Sequence, residues 1–264
     1  MLKLKFRRKH LAIIYSVFLI AFVMAPLLLI FYYAFTNDAG QITFHRMVNF
    51  FTDSSSLNDL LVSILIGAAN TVLCLLIGYP VAYLLANPKY NKSKMMLLLY
   101  VMPMWINFVL RTGATKDLLY WIGISGNNRP YTATLIGMVY NYLPFVILPL
   151  YATMQKMDQS QVEAARDLGA NPFQTFIKLI IPMTMPGIVS AILMVFVPTM
   201  SSFVISNALG GAKVNLIGNN INTSFNYSRW GDGSFMAIIM LLLIGLTFLL
   251  TKNVNKEEGR GSLW

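Results

Sequence analysis

The sequence predicts an all-α integral membrane protein: six transmembrane helices with a polar cytoplasmic insert between the fourth and the fifth. Three observations lead there. Apolar residues make up 56% of the 264 and charged residues only 11%, whereas a soluble domain carries about a quarter charged residues. Nearly uncharged runs long enough to cross a bilayer as helices recur along the chain. Basic residues gather in alternate connecting segments, the pattern that sets membrane orientation.

The first span, about 11–35, follows Lys3, Lys5, Arg7, Arg8 and Lys9. It is too long for a signal-peptide core and lacks a small-x-small cleavage site, so it reads as a retained signal anchor. The others are expected at about 57–86, 94–111, 132–153, 183–206 and 234–251, all within one transmembrane domain over 1–264. At about 1.5 Å per residue, about 20 residues cross a hydrocarbon core of roughly 30 Å. Placing the N-terminus inside puts 14 basic residues on the inner side and 6 on the outer. Both termini and the insert 155–181 are therefore expected in the cytoplasm. The net charge of +10 is explained by this orientation pattern and does not call for a nucleic-acid partner.

Prolines 26, 80, 103, 144, 149 and 198 interrupt the spans. Each removes a backbone hydrogen bond, and in lipid the freed carbonyl needs another partner. Ordinary kinking among packed helices and kinks surrounding a polar cavity fit equally. The outer segments are rich in Gly, Asn, Ser and Tyr; Asn222-Thr223-Ser224 and Asn226-Tyr227-Ser228 match the glycosylation sequon, a pattern short enough to recur by chance.

The insert carries its own helix signals. Asp158 or Ser160 offers an N-cap, with Gln161 or Glu163 three residues on. The helix should end at Leu168, with Gly169 in the left-handed cap position. Asn171, Pro172 and Gln174 then supply the N-cap, first position and capping-box partner of a second helix. Val162, Ala165 and Gly169 form a small-residue face, while Glu163, Arg166 and Asp167 point elsewhere. A linker lying on the membrane would present bulky apolar residues and a basic face; small residues with mixed charge favour docking of another protein.

Glu163-Ala164-Ala165, then Gly169, then Ile181-Pro182 resembles the cytoplasmic EAA loop of binding-protein-dependent ABC importer permeases, with Leu179-Ile180-Ile181-Pro182 where that family reads Ile-x-Leu-Pro. Gly78-Tyr79-Pro80-Val81-Ala82-Tyr83, Tyr140-Asn141-Tyr142-Leu143-Pro144-Phe145, Leu148-Pro149-Leu150-Tyr151 and Gly210-Gly211-Ala212-Lys213 with Leu216-Ile217-Gly218-Asn219 resemble the spermidine/putrescine permeases, the first permease subunit above all. The segment 111–131 looks shorter than in that family.

The resemblance implies a type I ABC importer permease fold in a prokaryotic plasma (inner) membrane, with a coupling helix in the insert. It implies an ATP-binding ATPase dimer gripping Glu163, Ala164, Ala165, Arg166, Asp167 and Gly169, a second and related permease chain, an extracytoplasmic substrate-binding protein and a polyamine substrate. The chain has no Gly-x-x-x-x-Gly-Lys-Ser/Thr loop and no His-Glu-x-x-His, and His10 and His45 are isolated. One cysteine, Cys74, allows no internal disulfide or cysteine metal cluster. No catalytic residue, cofactor or metal is expected here, and ATP hydrolysis is expected in a separate subunit.

All ten acidic residues fall in loops or at span ends, which disfavours a proton-coupled relay. A cation crossing here would meet aromatic faces, polar side chains or kink carbonyls. Trp105 and Asn107 beside Pro103, and Tyr140, Asn141 and Tyr142 before Pro144, are the candidate pathway residues; Ser201, Ser202 and Asn207 are weaker ones. Cation–π contact contributes about 0.5–2 kcal/mol, enough for transient passage, although Trp and Tyr also favour the membrane interface. Three alternatives stay open: permeation of another small solute (an organic cation, thiamine or a metal complex), secondary transport, and a membrane scaffold.

Overall fold

The computed structural model describes residues 15–37, 39–87 and 95–255, with side chains to 251. The basic N-terminal residues 1–10, the start of the first span, the Lys89–Lys94 segment and the tail from 256 lie outside the described residues. Apart from one bridge pairing Thr36 with Ile42, every regular element among the described residues is helical. Four helices are long and apolar enough to cross a membrane, or up to six spans if each of two bent pairs counts as one.

The helices in order are α1 Tyr15–Phe35, α2 His45–Thr52, α3 Ser54–Ala86, α4 Met95–Val101, α5 Phe108–Trp121, α6 Pro130–Gln155 and α7 Gln159–Asp167. There follow α8 Pro172–Met183, α9 Met185–Met200, α10 Phe203–Leu209, α11 Ile217–Asn226 and α12 Trp230–Asn255. The chain divides into two compact units, one of Asn58–Asn219 with the chain from Ile244, the other of the chain to Leu57 with Asn220–Leu243.

In the larger unit α6 and α9 pack side by side. Met138, Val146, Ile147 and Leu150 of α6, Ala191 and Val195 of α9, and Cys74 and Ala82 of α3 form a fully buried core. The α6–α9 approach depends on Gly187, where an added Cβ would lie 2.7 Å from Thr153 Oγ1 and 3.1 Å from the Pro149 carbonyl oxygen. A hydrogen-bonded pair crosses the core: Asn70 of α3 donates to Thr199 Oγ1 at 2.7 Å, and Thr199 donates to the Val195 carbonyl. Both residues are fully buried, so their mutual satisfaction removes a cost of about 1–3 kcal/mol per lone polar group.

In the smaller unit Phe35, Phe44, Phe50 and Phe235 meet edge to face at centroid distances of 5.8–6.3 Å. Arg46 donates to the Tyr33 and Thr36 carbonyls at the end of α1 and pairs with Asp232 at 3.4 Å. Asp53 precedes α3 and accepts from the Ser56 hydroxyl and from the Ser55 and Ser56 amides. The Ser56 hydroxyl bond, followed by the amide bonds, holds its carboxyl below the ordinary value.

Two expected spans are broken. In place of one helix over 94–111, α4 and a 3₁₀ turn Met102–Trp105 end at Ile106, and α5 leaves at 96°. Pro103 removes a helical donor, and Asn107 opens α5 by accepting from the Val109 and Leu110 amides at 2.9 and 3.4 Å. In place of 183–206, α8 and α9 meet at 66°, and α9 stops at Met200, with α10 starting after Ser202. The Gly218 backbone packs against the Ser201 carbonyl there, where a Cβ would lie 2.5 Å away. α12 continues to Asn255, past the end at about 251 expected for the sixth span.

Candidate functional site

The insert is a pair of helices with complete caps. Asp158 Oδ1 accepts from the Ser160 amide at 3.0 Å, so Asp158 rather than Ser160 is the N-cap of α7. At its other end the Gly169 amide donates to Arg166 O and the Ala170 amide to Ala165 O, the bond pair of a Schellman cap. Gly169 has φ +84° and no neighbour within 4 Å of an added Cβ, so its requirement is conformational rather than steric. Asn171 Oδ1 accepts from the Gln174 amide at 2.8 Å, and Gln174 Oε1 accepts in return from the Asn171 amide at 3.2 Å.

The small-residue face divides. Val162 is buried within the chain and Ala165 is half-buried, while Glu163, Ala164, Arg166, Asp167 and Gly169 are exposed. The sequence pattern missed two large apolar side chains beside them, Leu168 at 89% exposure and Phe173 at 71%. Spacing alone does not signal the exposure of Leu168, which stands three residues after Ala165 and by helical geometry neighbours it. Leu168, Gly169, Gln174 and Lys178 help line a cleft of about 290 Å³ between α7 and α8.

The insert meets α3 at the α8–α9 elbow. α8 contains a π-helical turn, Phe176–Ile180, and at its elbow with α9 the fully buried Thr184 donates to Ile180 O at 2.8 Å. Tyr79 of α3, beside Pro80, meets Thr184 Oγ1 at 2.7 Å and the Phe176 ring edge to face at 5.5 Å. With the Thr184 proton committed to Ile180, Tyr79 is the donor.

The candidate pathway residues are not brought together. Trp105 stands 83% exposed at the end of the 3₁₀ turn, and Asn107 uses its side-chain oxygen as the cap of α5. On α6, Tyr140 is 45% exposed. Asn141 is fully buried, donating to Gly137 O at 2.8 Å, with Oδ1 left unpartnered. Tyr142 is buried and donates to Pro198 O at 3.2 Å. Asn141 and Tyr142 therefore serve the interior in this conformation, and Trp105 and Tyr140 are the exposed aromatics. Among the described residues, no group of three or more His, Cys, Asp or Glu side chains is placed to hold a metal ion.

Residues 4–257 match the family model of the binding-protein-dependent transport system inner membrane component. The chain belongs to this family. It is thus a multi-pass inner-membrane permease and not an enzyme. The spermidine/putrescine transport system permease protein PotB of Haemophilus influenzae is 38% identical over 97% of this chain and 96% of its own length. PotB of Escherichia coli is 36% identical over 88% and 92%. Among solved structures, a chain of a bacterial alginate ABC transporter, in complex with its alginate pentasaccharide-bound periplasmic protein, superposes with a TM-score of 0.68 over 94% of each chain at 15% identity. That likeness shows the fold, that of an ABC importer permease.

Proposed function

We propose that this chain is one of two permease subunits of an ATP-driven polyamine importer, taking spermidine or putrescine from an extracytoplasmic binding protein. The observation that supports it most is the capped, exposed α7–α8 pair in a chain aligned almost end to end with spermidine/putrescine permeases. The termini and the insert face the cytoplasm in this reading, and all six spans form one transmembrane domain. A separate ATPase dimer grips Glu163, Ala164, Ala165, Arg166, Asp167 and Gly169, with Leu168 and Phe173 as its apolar anchors.

Closure of that dimer on ATP displaces α7 and α8 as a rigid pair. The Tyr79–Thr184 contact carries the displacement to α3 beside Pro80, and the pathway alternates between its two openings. The cargo carries two or more ammonium groups, and Trp105 and Tyr140 offer aromatic faces for transient contact; Asn107, Asn141 and Tyr142 shape the path once the interior rearranges. Uptake of labelled spermidine by vesicles holding the whole assembly tests the reading. ATP-dependent uptake is expected; no uptake at micromolar substrate overturns the polyamine assignment, and uptake without ATP overturns the energy source. Glu163→Lys should leave membrane insertion intact and uncouple hydrolysis from transport.

A further inference from the structure

The short helix α2 divides its surface into three faces of different chemistry. At about 100° per residue, Arg46 and Phe50 share one face, His45, Asn49 and Thr52 a second, and Phe44, Met47, Val48 and Phe51 a third. The first face is taken by its own unit. Phe50 is buried and meets Phe235 edge to face, while Arg46 donates to the end of α1 and pairs with Asp232. The second face is polar and exposed. The third is apolar and follows i, i+3, i+4, i+7 spacing, yet its four side chains stand 39–58% exposed. A helix washed only by water gains nothing from sorting its exposed residues by chemistry. A helix at a lipid boundary meets protein, water and hydrocarbon on separate sides.

We propose that α2 lies along the membrane surface at the C-terminal end of α1, with Phe44, Met47, Val48 and Phe51 among lipid acyl chains and His45, Asn49 and Thr52 turned to water. Its level is set by hydrogen bonds. The turn between the two helices brings the Thr43 amide to the Phe35 carbonyl at 2.8 Å, and Arg46 donates to the Tyr33 and Thr36 carbonyls. α2 therefore starts beside the last turn of a span. Tyr32 and Tyr33 stand half exposed in that turn, and tyrosine is a residue type that marks the level of the lipid headgroups. The stripe also continues the apolar surface of the span. The Phe44 ring meets that of Phe35 at 5.9 Å, and α1 leaves Leu28, Leu29 and Phe31 exposed. An acyl layer covers both without interruption. An apolar helix face in this position sinks about 5–10 Å into the boundary between headgroups and acyl chains. The placement depends on α1 being a span and on nothing about the cargo.

Nitroxide labels on Met47→Cys, Val48→Cys and Asn49→Cys test this in the full chain reconstituted in phosphatidylcholine vesicles. The native Cys74 is fully buried, and the wild-type chain taken through the same labelling supplies the background. Collisions with oxygen, which concentrates among acyl chains, are compared with collisions with a water-soluble nickel chelate. The ratio of oxygen to nickel collisions at 47 and 48 should exceed that at 49 by about threefold or more. Val48 and Asn49 stand about 100° apart around the helix, so equal ratios at the two would show that α2 does not hold one face in lipid and would overturn the proposal. A preference for nickel at 48 would place the stripe in water and overturn it as well. The same labels in the whole assembly should keep their preference for oxygen. Poor access of both reagents to 47 and 48, in the lone chain or only in the assembly, would show that a second copy or another subunit covers the stripe, and lipid would be the wrong occupant.

Discussion

Two elbows in the larger unit are built from the same parts and end in opposite states. Each stops one helix and opens the next with an asparagine cap, Asn171 at α8 and Asn107 at α5. The α7–α8 elbow satisfies its polar groups locally, through the Schellman bonds at Gly169 and the reciprocal Asn171–Gln174 box. The α4–α5 elbow satisfies its cap and then leaves Nε and Nη1 of Arg111 buried without a partner one turn on. A self-satisfied elbow holds its angle without help and suits a lever. An elbow that buries polar atoms without a partner carries a cost that its own cap does not relieve.

The largest way to break the first elbow is at Gly169. Its φ of +84° costs a β-carbon-bearing residue about 1–2 kcal/mol, and an added Cβ meets no neighbour within its own chain. Gly169→Leu should therefore alter the α7–α8 angle and lower spermidine uptake by more than about tenfold, with normal insertion into the membrane. Gly169→Asn, which tolerates the left-handed region, should retain most uptake. Equal loss in both variants would point to a role other than backbone shape.

At the second elbow, Trp105→Ala tests whether the exposed ring meets the cargo. Loss of a cation–π contact of about 0.5–2 kcal/mol should lower uptake by about 2–30-fold with ATP hydrolysis retained; full uptake would assign Trp105 to lipid or to the partner chain. The two caps can then be compared directly. Asn171→Ala and Asn107→Ala should each cost about 1 kcal/mol and speed hydrogen exchange by about fivefold, at the Gln174 amide in one and at the Val109 and Leu110 amides in the other. Unchanged exchange at 109–110 would mean that the α4–α5 angle is held by packing alone.

The difference between the elbows also explains what could be read from sequence. Asn171, Pro172, Gln174 and Gly169 act within a few residues of themselves, so their spacing reports their bonds. The bend at Asn107 carries comparable local signals, Pro103 and a good cap residue, but they are embedded in an apolar run whose hydropathy suggests one continuous span. Arg111, at the end of the span expected at 94–111, is buried by α5 packing against α6 and α10. The Asn70–Thr199 pair joins residues 129 apart, and no local pattern reports such a contact. Exposure of Leu168 and burial of Val162 likewise depend on which face of α7 the rest of the unit covers.

The smallest expected effect tests how the self-satisfied elbow reaches the spans. Tyr79→Phe keeps the edge-to-face contact with Phe176 and removes only the hydroxyl that donates to Thr184. Thr184 keeps its bond to Ile180, so no buried donor is stranded and the cost is that of one net neutral hydrogen bond, about 0.5–1 kcal/mol. If α8 drives α3 through this bond, uptake should fall about 2–5-fold while ATP hydrolysis is retained, because hydrolysis lies upstream of the contact. Tyr79→Ala removes the ring as well and should widen that gap between hydrolysis and uptake. Equal decreases in both activities would mean that Tyr79 supports the fold of the elbow rather than its coupling. Unchanged uptake in the phenylalanine variant would place the transmission in ring packing, with the Phe176 contact as the part of the joint that moves α3.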